Sequence, residues 1–235
     1  MPRSAELEAL AQRVSNWGRW GDDDERGTQN LIDDAAVMRG VGAARTGQRI
    51  SLAVPLDLKS PQSGQPARRT NPLLTMLSVN ERDPMAPGDW LGTDDHISMC
   101  TCAGTHIDAL AHITYDGTMY NGHPAAAITP TDGATRCGVE TITPIVSRGI
   151  LADVAALHAT DVLDGGYAIT SDDLDACMER AGITPEPGDV ICVRTGHMRT
   201  RSISGRAGRS MHRCGAPAAS RVRDDAIVAE RRERL

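Results

Sequence analysis

Apolar residues recur at Leu7, Leu10, Ala11 and Val14, the i, i+3, i+4, i+7 spacing of one helix face, and Ser4 stands where an N-cap belongs. The run Asn16-Trp17-Gly18-Arg19-Trp20-Gly21 ends that helix. Gln48–Val54 reads as a strand, followed by a Pro- and Gly-containing loop to about residue 72. A further strand is expected over His96–Cys102, and a buried one over Gly149–Val154. Ser171 is the expected cap of a helix whose apolar face is Leu174, Cys177, Met178 and Ala181, with Asp172 and Asp173 at its positive end and Gly182 as its stop. Asp189–Val193 is again a short buried strand. The last three elements make a β-loop-α-β unit, so the pattern predicts a mixed α/β domain. No internal repeat interrupts it.

Length and composition narrow the class. The chain of 235 residues has room for one sizeable domain, or for one domain with an appendage. Aromatic residues make up only 3% and Phe is absent, which argues against base-stacking platforms for single-stranded nucleic acid. A net charge of -6 argues against duplex binding, which needs a basic surface. No run approaches the roughly 18 apolar residues of a membrane span. The N-terminus lacks an apolar secretory core, and the 6 Cys read as reduced thiols, so a cytoplasmic protein acting on a small molecule, away from membranes and nucleic acid, is expected.

Charge is unevenly spread. Residues 199–235 hold ten Arg against four acidic residues, whereas residues 1–198 hold 15 basic against 27 acidic groups. The break after Met198 divides the chain into a domain over 1–198 and an Arg-rich tail over 199–235. Without interleaved aromatics that tail reads as a solvated segment or surface helix rather than a nucleic-acid arm.

The chemistry concentrates in Cys102-Ala103-Gly104-Thr105-His106-Ile107-Asp108-Ala109-Leu110-Ala111-His112. If a strand continues through it, alternation places Cys102, Gly104, His106 and Asp108 on one face, where imidazole and carboxylate can converge on one ion. His and Asp suit Zn²⁺ or Mn²⁺, and Cys102 is either a thiolate ligand favouring zinc or a small packed strand residue. His112, four residues after Asp108, is about one helical turn away. That is the place for a general acid/base beside a metal-activated water.

Gly104-Thr105-His106-Ile107-Asp108, with His112 four residues on, resembles the signature of the cyclase family, which includes bacterial kynurenine formamidases and isatin hydrolases. Trp20-Gly21, Asp24-Glu25-Arg26-Gly27-Thr28-Gln29-Asn30-Leu31, Tyr120-Asn121-Gly122, Arg148-Gly149-Ile150-Leu151 and Gly188-Asp189-Val190 through Arg194-Thr195-Gly196 extend the resemblance over about residues 16–198. It implies an α/β fold of the swivelling β/β/α type and a homo-oligomer. It also implies metal-dependent hydrolysis of an amide, formamide or lactone, with His106 and Asp108 as metal ligands and His112 as the catalytic His. Two positions depart from the family pattern: Cys102 stands where the first His ligand is expected, and Leu110 replaces a Pro. Residues 199–235 do not resemble the family's closing part, which supplies a later His and Glu. The expectation is an aberrant end, an atypical or missing C-terminal part of the fold, and loss of a second metal site. A catalytically impaired metal- or ligand-binding relative is the alternative reading.

Tyr120 and Asn121 lie in a polar loop that either contacts substrate, Tyr120 against an aromatic ring, or forms an ordinary turn. His158, His197 and His212 show no convergent partners in the sequence. Neither a phosphate-binding glycine loop nor a serine nucleophile elbow is present.

Overall fold

The computed structural model describes residues 4–60, 62, 69–86 and 88–199. Its elements are α1 (Ala5–Val14), α2 (Asp34–Gly42), β1 (Leu73–Arg82), β2 (Leu91–Ser98), β3 (Ile128–Thr129), β4 (Gly133–Ala134), β5 (Gly149–Ala152), α3 (Val154–Leu157), α4 (Ser171–Ala181) and β6 (Val190–Val193), joined by short 3-10 turns. They fall into two compact units, one of residues 1–47 and 109–235, the other of residues 48–108. The expected Arg-rich tail, apart from Arg199, lies outside the described residues, as does His212.

In the larger unit β5 and β6 pair in parallel, Gly149 opposite Val190 and Ala152 opposite Val193, with α4 in the connection between them. This is the β-loop-α-β unit that the pattern predicts. Ile150 and Ala152, alternate residues of β5, are buried with Val154, Ala155, Leu163, Cys177 and Met178. Leu174, Cys177 and Met178 of the predicted helix face do pack here, while Ala181 is exposed. β6 is not the buried strand expected, for all four of its residues are exposed, and among the described residues it pairs only with β5.

Helix ends follow the local chemistry. Ser4 caps α1 by accepting the Leu7 amide, as its position predicts. The cap of α4 is Thr170 rather than Ser171. Thr170 accepts the Asp173 amide while the Asp173 carboxylate accepts the Thr170 amide, a reciprocal capping box. Gly182 ends α4 in the left-handed region at φ 64, where a side chain would be disfavoured.

Asp189 holds three stretches of the larger unit together. Its side chain is 2% exposed and accepts Arg148 Nε and Nη2, the Arg39 Nε at 3.1 Å and the Glu186 amide at 2.8 Å. Burial alone would raise this carboxyl, but Arg148, the Glu186 amide and Arg39 hold it below its ordinary value. The charged form is therefore favoured by folding, and its contribution is lost as pH falls below the ordinary carboxylate range toward that lowered value. Asp189→Ala leaves two guanidinium groups without their buried partner. It is expected to cost about 3–5 kcal/mol in urea unfolding at neutral pH, with the deficit shrinking in acid. A change under about 0.5 kcal/mol, the scale of an ordinary surface substitution, would contradict that role.

The smaller unit is built on the antiparallel ribbon of β1 and β2. Its register shifts twice, between Met76 and Ser78 and again before Glu81, and Asn80 takes φ 52 at the second irregularity. Two expectations fail here. Gln48–Val54 is not a strand, because Thr105 rather than a neighbouring backbone serves it: the Thr105 hydroxyl accepts the Val54 amide at 2.9 Å and donates to the Leu52 carbonyl at 3.1 Å. The strand expected over His96–Cys102 is displaced, since β2 runs Leu91–Ser98 and the chain then turns, the Ala103 amide bonding the Cys100 carbonyl at 2.8 Å.

Candidate functional site: a Cys-His-Asp cluster and a histidine turn

Because β2 stops at Ser98, alternation along a strand does not bring Cys102, His106 and Asp108 together. A turn does. Gly104 takes φ +71, and a Cβ there would lie 3.0 Å from the Leu56 side chain, so glycine serves both the backbone and the packing. The Gln62 side chain donates to the Cys102 carbonyl at 2.7 Å and fixes the other side of the turn. One donor atom from each of Cys102, His106 and Asp108 then lies within 4.8 Å of the others. Cys102 is half-buried, and the other two are exposed.

The ring of His106 is oriented from within the turn. Its Nδ1 lies 3.0 Å from the Gly104 carbonyl, which can only accept, so Nδ1 carries the proton and Nε2 is the free ligand atom. Nε2 in turn lies 3.3 Å from Asp108 Oδ1. The imidazole nitrogen and the carboxylate oxygen thus face one another at a separation that a cation held by both would bridge. Metal-binding histidines commonly donate their other N–H to a backbone carbonyl in this way. A thiolate, an imidazole and a carboxylate also form a sound donor set for Zn²⁺, with a coordination position to spare. The residues present fit a divalent cation.

His112 belongs to the larger unit, at the end of a 3-10 turn over Leu110–His112 whose entry residue Ala109 is extended. The segment leading to His112 is therefore not the α-helical turn that the spacing suggested. His112 is exposed, and its turn is anchored through buried Ala111, whose amide donates to the Cys137 carbonyl at 2.9 Å. Ala111, Met119 and Cys137 form the small core beneath it, against Tyr120.

Tyr120 and Asn121 have their polar atoms engaged within the larger unit. The Tyr120 hydroxyl donates to Asp24 Oδ2 at 2.8 Å, and burial followed by the Asp24 bond pushes this phenol upward. The Asn121 amide nitrogen donates to the carbonyls of Gly21, Asp22 and Asp24, and its oxygen accepts the Gly18 amide at 2.7 Å. The left-handed φ of 59 at Asn121 aims the side chain at this N-terminal segment. The Tyr120 ring stands edge-on to Trp17, centroids 6.5 Å apart.

Sequence reasoning missed two clusters. His158 has partners after all: its Nε2 lies 2.7 Å from Asp173 Oδ1 and 2.9 Å from the Tyr167 hydroxyl. Asp173, already read as a helix-start acid, was the available signal. Glu25 was missed as well. It binds Arg136 at 2.7 Å and the Cys137 amide at 2.5 Å, contacts more than 100 residues apart that no local pattern reveals.

Comparison with known proteins gives the family. The cyclase family model, described as "Putative cyclase", matches residues 50–223, a span that includes the Cys-His-Asp cluster and His112. No curated protein matches the sequence. A crystal structure of a novel cyclase superposes with a TM-score of 0.74 at 33% identity, covering 80% of this chain. The chain spans 64% of the length of that structure. The fold is accordingly a mixed α/β fold shared with a cyclase, and the protein belongs to the cyclase family.

Proposed function

We propose that this protein is a metal-dependent hydrolase of an amide, formamide or lactone, resembling the arylformamidases. The observation that carries the reading is the Cys102-His106-Asp108 cluster, with His106 Nδ1 tied to Gly104 so that Nε2 is left for an ion. These three side chains would hold one divalent cation, zinc in preference to manganese because a thiolate is a soft ligand. Such an ion polarises a carbonyl and lowers the pKa of water toward about 7. His112 accepts a proton from the attacking water at a ring nitrogen and returns it to the departing nitrogen or oxygen. The edge-on Trp17 and Tyr120 rings support an aromatic substrate, met by the Tyr120 ring rather than its engaged hydroxyl. Asn121, through its four backbone contacts, fixes the loop that carries Tyr120.

Zinc-loaded protein offered aryl formamides, lactones and cyclic imides should release the ring-opened or deformylated acid, identified by mass. A full equivalent of zinc with no product from any of them would favour the impaired, binding-only reading. The departure at Cys102 has its own test. Cys102→Ser is expected to weaken zinc about 10-fold or more and manganese far less, read by competition with a chromogenic chelator. Equal losses would return Cys102 to a packing role.

The same reading places the protein in the cytoplasm as a homo-oligomer. Exposed Leu73, Leu74, Leu77, Val79 and Leu91 on the β1–β2 ribbon support a second copy as their cover, a point that light scattering checks. No helix among the described residues is long and apolar enough to cross a membrane.

A further inference from the structure

We infer that Glu25 is a positioning residue for His112, acting through the backbone of Cys137; this rests on the hydrolase reading for its effect on turnover, though not for its effect on structure. The Cys137 backbone takes φ 56, a left-handed conformation disfavoured for a residue with a side chain, in a position that is 0% exposed. Something must hold it there, and the Glu25 carboxylate does. One oxygen accepts the Cys137 amide at 2.5 Å, and the other pairs with Arg136 Nη1 at 2.7 Å. The Thr141 hydroxyl, which donates to the Gly138 carbonyl at 2.8 Å, also lies 3.3 Å from the Glu25 carbonyl.

Held this way, Cys137 points its carbonyl at the Ala111 amide, 2.9 Å away. That bond ties the 3-10 turn at the residue immediately before His112. Asp24, the neighbour of Glu25, grips the other wall of the same small core by accepting the Tyr120 hydroxyl. The acidic pair Asp24-Glu25 thus clamps the platform under His112 from two sides, and Glu25 reaches the histidine turn through the Cys137 backbone, whose amide it binds and whose carbonyl accepts the Ala111 amide. Glu25 touches no reacting atom in this account. Its work is to narrow the range of His112 orientations, and misplacement of a catalytic group by about 1 Å can cost about 10²-fold in rate.

The test uses the full chain, zinc-loaded, with whichever aryl formamide or lactone the wild type hydrolyses. Glu25→Ala is expected to lower kcat by about 10²-fold with KM and zinc content little changed. Exchange of the Ala111 amide should accelerate about tenfold as the charged hydrogen bond behind it is lost. Adding Cys137→Gly should recover part of the lost kcat, because glycine takes a left-handed φ without the Glu25 bond. That rescue separates orientation through the Cys137 backbone from a general loss of stability. Wild-type kcat and Ala111 protection in Glu25→Ala would overturn the proposal, as would a double variant no better than the single one. Should Glu25→Ala fail to fold, Glu25→Gln is read instead: a few-fold loss of kcat with faster Ala111 exchange supports the role, and wild-type values for both overturn it. If zinc-loaded wild type hydrolyses nothing, the hydrolase reading falls, and Glu25 is judged on Ala111 exchange and the His112 ring resonances alone. Movement of both supports its positioning role, and movement of neither overturns it.

Discussion

His106→Ala is expected to leave the protein folded and without its metal. The donor atom of His106 is fixed from within the turn, Nδ1 being committed to the Gly104 carbonyl at 3.0 Å and Nε2 facing Asp108 at 3.3 Å. Removing it leaves a thiolate and a carboxylate, too few ligands for tight zinc binding. Loss of a group that only hydrogen-bonds a metal ligand typically costs about 10–100-fold in affinity, so loss of this ligand should exceed about 10²-fold. The fold has little at stake. The ring is exposed, and when its bond to Gly104 is lost the turn keeps those of the Ala103 amide, the Gln62 side chain and the Thr105 hydroxyl. Elemental analysis after gel filtration should find well under one equivalent of zinc, with an unaltered circular dichroism spectrum. A stoichiometric ion in the folded variant would move the metal site elsewhere.

His112→Asn should have the opposite signature, with metal retained and turnover lost. Asparagine keeps a polar side chain of related shape while removing the ring nitrogens that can take up and return a proton. The Ala111 amide bond to the Cys137 carbonyl anchors the turn through the backbone and is untouched by the substitution, so the backbone should persist. A lost general acid/base lowers kcat by about 10²–10⁴-fold. Measured in one preparation, zinc content should match the wild type while kcat falls in that range. If the variant loses its metal, His112 is a ligand; if it keeps full activity, the proton passes through another group.

Local signals were the ones that sequence reading captured. The apolar spacing of α1 with Ser4 as its cap, the stop at Gly182 and the β-loop-α-β unit of β5, α4 and β6 all depend on neighbours within a few residues or on strong periodicity. β1 was not foreseen and β2 was expected some residues too late, because the ribbon's register is broken by two irregularities and nearly all its residues are exposed, leaving no buried alternation to read. The cluster itself was found for a reason the structure replaces. Cys102, His106 and Asp108 do converge, but through a turn with a left-handed Gly104 rather than along one strand face. Spacing of two and four residues brings side chains together in either conformation, so the residues were legible and their backbone was not. Glu25 and His158 were illegible for a different reason. The bond from Glu25 spans 112 positions, and His158 meets Asp173 only because α4 begins where Thr170 caps it.

The central claim is that one divalent ion, held by Cys102, His106 and Asp108, makes this cyclase-family protein a hydrolase. Its most direct test is turnover of the best aryl formamide or lactone by metal-stripped protein as zinc is added back in measured equivalents. The account predicts no turnover in the stripped protein, a linear rise with added zinc and a plateau at about one equivalent. Turnover that is undiminished after stripping, or that stays absent with a full equivalent of zinc bound, would contradict it.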